Sequence, residues 1–92
     1  MQLDEAVTIV TLIEFPSLLE YSKFQGSVVY PTRSDLDLAV ELQIKMKNKG
    51  RLKPFSDLLT AAICINRNEE LVTKDINFNE IAEASKLKLR VE

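Results

Sequence analysis

A three-layer α/β/α fold with a mainly parallel sheet is what this 92-residue sequence predicts. Three observations predict it. Short β-branched apolar runs alternate with stretches of helical periodicity, in the order β α (β) α α β α β. Strands separated by helices are joined by crossovers, which place them side by side in parallel with helical layers on the sheet. Apolar residues make up 46% of the chain, enough for a core, and no linker, repeat or low-complexity stretch divides it. Residues 1–92 therefore read as a single domain.

Each element has its own signal. "AVTIVT", residues 6–11, is apolar and β-branched and reads as a buried strand. A helix follows, with Phe15, Leu18 and Leu19 on one stripe and Tyr21 and Phe24 beside it. Thr11 and Glu14 have capping-box spacing, but Pro16 moves the regular start to about 13–15. Gly26 ends that helix, and "SVVYP" reads as a short edge strand closed by Pro31. Ser34 is the expected cap of a helix over 35–49, with Leu36, Ala39, Val40 and Ile44 inward and Gly50 as its C′ residue. Pro54 and Ser56 open the next helix, through Arg67; its centre is apolar almost all round except Thr60, which predicts burial on several sides. "ELVTK" is a strand, and Asn77 and Glu80 have capping-box spacing for a short helix with Phe78, Ile81 and Ala82 inward. "LKLRV", residues 87–91, alternates apolar and basic as a half-exposed strand does.

Composition excludes much chemistry. The chain has no histidine, so Ser–His and Cys–His catalysis and imidazole metal sites are out. The single Cys64 can form no internal disulfide and, in "LLTAAICI", reads as a packed core thiol. Carboxylates without soft ligands suit a hard cation, Mg2+ or Mn2+. A net charge of −2 confines any nucleic-acid contact to a local patch. The N-terminus lacks a basic region and an apolar stretch of signal-peptide length, and no apolar run approaches the roughly 18 residues of a membrane helix. A soluble, cytoplasmic protein with no membrane contact is expected.

In open α/β sheets ligands sit beyond the carboxyl ends of the strands. Glu14 follows the strand at 6–11, Asp75 follows the strand at 70–74, and Asp57 lies in the first turn of the buried helix. Three carboxylates converging there would hold a divalent cation and activate its water. Each acid also has a purely structural use: Glu14 in a capping box, Asp57 against the helix dipole, Asp75 in a turn.

The stretch "FSDLLTAAICINRNEELVTKDINFNEI" resembles the C-terminal half of PIN-domain proteins, especially VapC-like toxins. Asp57 opens a hydrophobic D-x-L-x-A-A-x helix, "LVTKDINF" follows as an L-V-T-x-D-x-x-F strand end, and "TIVTLIEF" looks like the family's second strand running into a helix with a Glu. The likeness runs from Ala6 to Val91. It implies a metal-dependent ribonuclease of toxin–antitoxin type, with Glu14, Asp57 and Asp75 as catalytic ligands of Mg2+ or Mn2+, Thr73 and Asn77 in support, and an antitoxin as protein partner. The family's first central strand, with its D-x-[ST/N] motif, has no counterpart here; Asp4 and Glu5 precede the strand at 6–11 and fall at the wrong end of the sheet. The expectation is thus a PIN-like domain incomplete at its N-terminus, with impaired cleavage. Its alternative is a non-catalytic PIN-like module that binds RNA or protein.

Two expectations concern partners. "KMKNKGRLK" carries Lys49, Arg51 and Lys53 toward the helix of Asp57, as a candidate contact to RNA phosphates or simply as a solvated helix end. The missing strand would leave the strands at 6–11 and 70–74 facing each other across a gap. That gap, with the apolar load on the helix at 13–24, predicts a homo-oligomer with that helix in the interface.

Overall fold

The computed structural model describes residues 6–8 and 27–92. The expected helix at 13–24, the end of the first strand and Glu14 lie outside them. The described elements are β1 (Ala6–Thr8), β2 (Ser27–Val29), α1 (Arg33–Asn48), α2 (Phe55–Asn66), β3 (Glu70–Thr73), α3 (Phe78–Glu83) and β4 (Lys88–Val91).

Local chemistry sets the helix ends. α1 is capped by Thr32 rather than Ser34: Asp35 N–H donates to Thr32 Oγ1 at 3.3 Å, and Thr32 N–H donates back to Asp35 Oδ2 at 2.8 Å. This reciprocal pair satisfies two backbone donors that the first turn leaves open. Ser34 is also a good cap type, but Thr32 has Asp35 at the position that can return the bond. At the other end Gly50 takes φ +70°, its N–H donates to Lys47 O, and Arg51 N–H donates to Met46 O at 2.8 Å. That is a Schellman motif with glycine at the left-handed C′ position, as expected. α2 ends the same way with Asn68 at φ 54°, Asn68 N–H on Ile65 O and Glu69 N–H on Cys64 O. Asn is the other residue that tolerates this conformation, because its short polar side chain can hydrogen-bond locally.

α2 is the centre of the core. Residues Leu58, Leu59, Thr60, Ala61, Ala62, Ile63 and Cys64 are all buried, which matches the apolar run read from the sequence. Ala39, Leu42 and Met46 of α1 pack on it, together with Leu71 of β3, Phe78 and Ile81 of α3, and Leu87. The inward face of α1 differs from expectation. Ala39 is buried, but Leu36, Val40 and Ile44 are exposed by 42%, 61% and 53%, while Leu42 and Met46 are buried. The α1 sequence carries two overlapping apolar stripes, and the one that faces inward buries Ala39, Leu42 and Met46, with Asp35 at its start accepting at Oδ1 from Asn66 at the end of α2 at 2.8 Å.

Both strand pairs are parallel: Ala6↔Ser27 to Thr8↔Val29 in one, and Glu70↔Lys88 to Thr73↔Val91 in the other. Among the described residues they form two separate two-stranded sheets. The expected three-layer PIN-like fold, with one mainly parallel sheet, is therefore corrected. Among the described residues β1 pairs with β2 and β3 with β4, and no ladder joins β1 to β3. The physical reason is that apolar patterning says where a strand lies and which sides are buried, but not which strand it meets. The β3–β4 pair is built within one short β–α–β stretch, with α3 as its crossover, and Glu92 N–H extends it by donating to Thr73 O at 2.9 Å.

Candidate functional site

Thr73, Asp75 and Asn77 come together where β3 leaves its pairing. Asp75 N–H donates to Thr73 Oγ1 at 3.1 Å, and Asn77 N–H donates to Asp75 Oδ1 at 2.9 Å. These are the hydroxyl and Asx turns that short polar side chains make with backbone two residues away. They reverse the chain so that Phe78 can enter the core as α3 begins. The Asn77 side chain makes no cap bond, so the expected capping box with Glu80 does not form. Asp57 sits half-buried in the first turn of α2, where an ionised carboxylate is favoured. Among the described residues, no group of three His, Cys, Asp or Glu side chains is placed to hold a metal ion. Cys64 is buried, and desolvation pushes its thiol above the usual range, so it stays protonated and inert.

The basic run has a different organisation from the one its spacing implied. Lys53 Nζ lies 2.6 Å from Glu80 Oε1, with the Lys53 side chain only 9% exposed. Arg51 Nε lies 3.3 Å from Glu80 Oε2. The Gln43 amide clamps the Lys53 backbone, donating to Lys53 O at 2.9 Å and accepting from Lys53 N–H at 3.1 Å. The loop between α1 and α2 is thereby pinned to both α1 and α3. Arg51 and Lys53 share the single carboxylate of Glu80, whereas Lys49 stays exposed at the end of α1. The sequence showed no sign of Gln43 and assigned Glu80 to a capping box with Asn77, because the actual pairs span 10 and 27 residues, beyond any helical or turn spacing.

The Lys53 hydrogen bond, aided by the charges of Lys53, Arg51 and Lys49 against a smaller opposing effect of desolvation, holds the Glu80 carboxyl below its usual range. A carboxyl lowered in the folded state contributes stability that is complete above the ordinary glutamate range. That contribution drains away as pH falls through the lowered value. Glu80→Gln is expected to flatten the acid limb of stability against pH, measured by urea unfolding across that range. Superimposable wild-type and variant profiles would show that the latch contributes nothing to folding.

No family model matches the chain, and no curated protein matches it. Among solved structures, the chain is similar to one in the crystal structure of VapBC2 from Rickettsia felis bound to a DNA fragment from their promoter. The TM-score is 0.71 at 22% identity, over 94% of this chain and 73% of that one. Identity this low establishes likeness of fold alone. The expected membership of the PIN family is corrected accordingly, because no family model supports it and the structural likeness is to a chain of a two-protein complex without distinguishing its members. The motifs that carried the resemblance have local explanations. An acid in the first turn of α2 answers the helix dipole, and "LVTKDINF" makes a strand followed by an Asx turn. No described helix is long and apolar enough to cross a membrane.

Proposed function

We propose that the chain is one member of a VapBC-type toxin–antitoxin pair, and the member that engages its protein partner rather than the promoter DNA. The observation that carries this reading is the likeness of fold, across 94% of the chain, to a chain of a VapBC2 complex bound to promoter DNA. Charge supports the assignment of roles. The chain is net −2, and Arg51 and Lys53 of its basic run share the single carboxylate of Glu80, which offsets one of their two charges and weakens the positive face offered to phosphates. DNA contact then falls to the partner.

The finer reading is metal-dependent cleavage of RNA by this member, with Mg2+ or Mn2+ on Asp57, Asp75 and, outside the described residues, Glu14. What supports it is the hard oxygen donor set and the placement of Asp57 and Asp75 at the start of a buried helix and just past a strand end. Asp57 and Asp75 do not by themselves make a metal site.

The test is to produce the chain alone and with the second protein encoded behind the same promoter. Both preparations are assayed for mobility shift of promoter DNA and, with Mn2+, for cleavage of single-stranded RNA. A stable complex that shifts the DNA, where the chain alone does not, is the expected result. Failure to form a complex would overturn the proposal. Cleavage by the chain that is lost in Asp75→Ala would carry the finer reading; equal cleavage by wild type and variant would remove it.

A further inference from the structure

A helix as short as α3, at 6 residues, cannot hold itself, since isolated helices below about 12–15 residues are marginal in water. α3 therefore owes its shape to what fastens it. Its start receives no side-chain cap from Asn77. Residues 74–77 and Asn79 are exposed, Phe78 and Ile81 are buried, and Glu80 is half-buried. Two polar ties reach it from α1. At its far end Lys45 Nζ donates to Ala84 O at 3.3 Å. Near its start the tie runs through the loop: the Gln43 amide holds both backbone groups of Lys53, and Lys53 Nζ donates to Glu80 Oε1 at 2.6 Å. The Lys53 side chain is only 9% exposed, so its ammonium has little water to replace Glu80. The exposed Arg51 adds a looser contact to the same carboxylate.

We infer that the Gln43–Lys53–Glu80 chain is a latch on α3 and the turn before it, and that its release lets residues 74–84 open as one unit while α1 and α2 stay folded. The turn goes with the helix because the two are continuous. Asn77, whose N–H donates to Asp75 Oδ1, precedes Phe78, and Asn79 N–H donates back to Ile76 O at 3.0 Å. Withdrawing Phe78 from the core breaks the geometry of both bonds. The rest of the fold has its own support: Leu58 to Cys64 of α2 are buried, and Ala39, Leu42 and Met46 of α1 pack on them. Segments with few buried side chains and much exposed backbone open at lower free energy than such a core. Opening also brings Phe78 and Ile81 into water, which keeps the closed form dominant. Gln43 and Lys53 are thus positioning residues for Asp75, acting through Glu80. A ligand that needs Asp75 and Asn77 in their turn binds the latched form alone. The inference concerns the fold of the turn, and it stands apart from the toxin–antitoxin reading and from any role of Asp75 in holding an ion.

Amide hydrogen exchange on the whole chain, followed by NMR with increasing urea, tests it. In the wild type, amides of residues 79–84 are expected to exchange through an opening that depends little on urea, and those of Leu59 to Ile63 with the steep slope of global unfolding. Lys53→Met keeps the apolar stem and removes the charge. It is expected to speed exchange in residues 79–84 about tenfold, the effect of one lost charge-assisted hydrogen bond. Gln43→Ala is expected to speed the same amides several-fold, and the double variant to exchange no faster there than Lys53→Met, because Gln43 acts through Lys53. Met46→Ala is expected to speed the α2 amides and leave residues 79–84 at the wild-type rate, since its packing persists in the open form. A wild type in which residues 79–84 and α2 share one urea slope would overturn the inference, because the segment would have no opening of its own. So would wild-type rates in residues 79–84 of Lys53→Met or Gln43→Ala, a double variant in which the two effects add in full, or equal acceleration of both regions in Met46→Ala.

Discussion

Met46→Ala is expected to lower the unfolding free energy by about 2–5 kcal/mol, the range for truncating a large buried side chain. Met46 is 1% exposed, sits in the last turns of α1 and belongs to the core cluster centred on α2. Removing its thioether loses the transfer energy of the buried atoms and leaves a cavity that Leu42 and the α2 side chains can only partly close. A domain of this size has about 5–14 kcal/mol in hand, so the variant should melt far below the wild type. The companion variant Ile44→Ala, 53% exposed, is expected to change monomer stability by less than about 0.5 kcal/mol. Urea unfolding of both variants at a concentration where the chain is monomeric decides the rotation of α1. A larger loss for Ile44→Ala than for Met46→Ala would place the Leu36–Val40–Ile44 stripe inward after all.

Asp35→Ala is expected to cost about 2–3 kcal/mol, combining a lost cap of about 1 kcal/mol with a broken buried hydrogen-bond set. Asp35 is 5% exposed. One carboxylate oxygen receives the Thr32 N–H at 2.8 Å and the other the Asn66 side-chain amide at 2.8 Å. It is therefore both the returning half of the α1 capping box and the tie between the start of α1 and the end of α2. Alanine removes both bonds and leaves a small cavity. Asp35→Asn keeps the shape and one acceptor, and is expected to cost roughly half as much. Denaturant unfolding with an unchanged slope would confirm that the folded state, and not the compactness of the unfolded chain, is affected. A cost below about 0.5 kcal/mol for Asp35→Ala would mean that the tie is incidental.

Much of the site was legible because its chemistry is local. Thr73, Asp75 and Asn77 are within five positions, and a strand end followed by Asp-x-Asn reads as a turn. The same locality is why the reading went too far. A turn and a helix-dipole acid are enough by themselves to produce short family-like motifs. The basic run misled for the opposite reason. Its spacing is visible in the sequence, but the carboxylate that Arg51 and Lys53 share comes from α3, and no short-range pattern announces Glu80 as their partner.

By itself the sequence determined the features governed by neighbours along the chain. These are the all-round burial of α2, the stop of α1 at Gly50, the presence of strands at 27–29 and 70–73, and the exclusion of histidine and disulfide chemistry. Only the tertiary structure decided which of two apolar stripes on α1 faces the core, which strands pair, and where the loop cations place their charge. Each of these is a choice between locally equivalent alternatives. A backbone segment satisfies its own hydrogen bonds and torsions equally well in any of them, and only contacts between residues far apart in sequence separate their energies. On α1 those contacts are the packing of Leu42 and Met46 on α2 and the Asn66–Asp35 bond, and in the loop they are the pairing of Lys53 with Glu80.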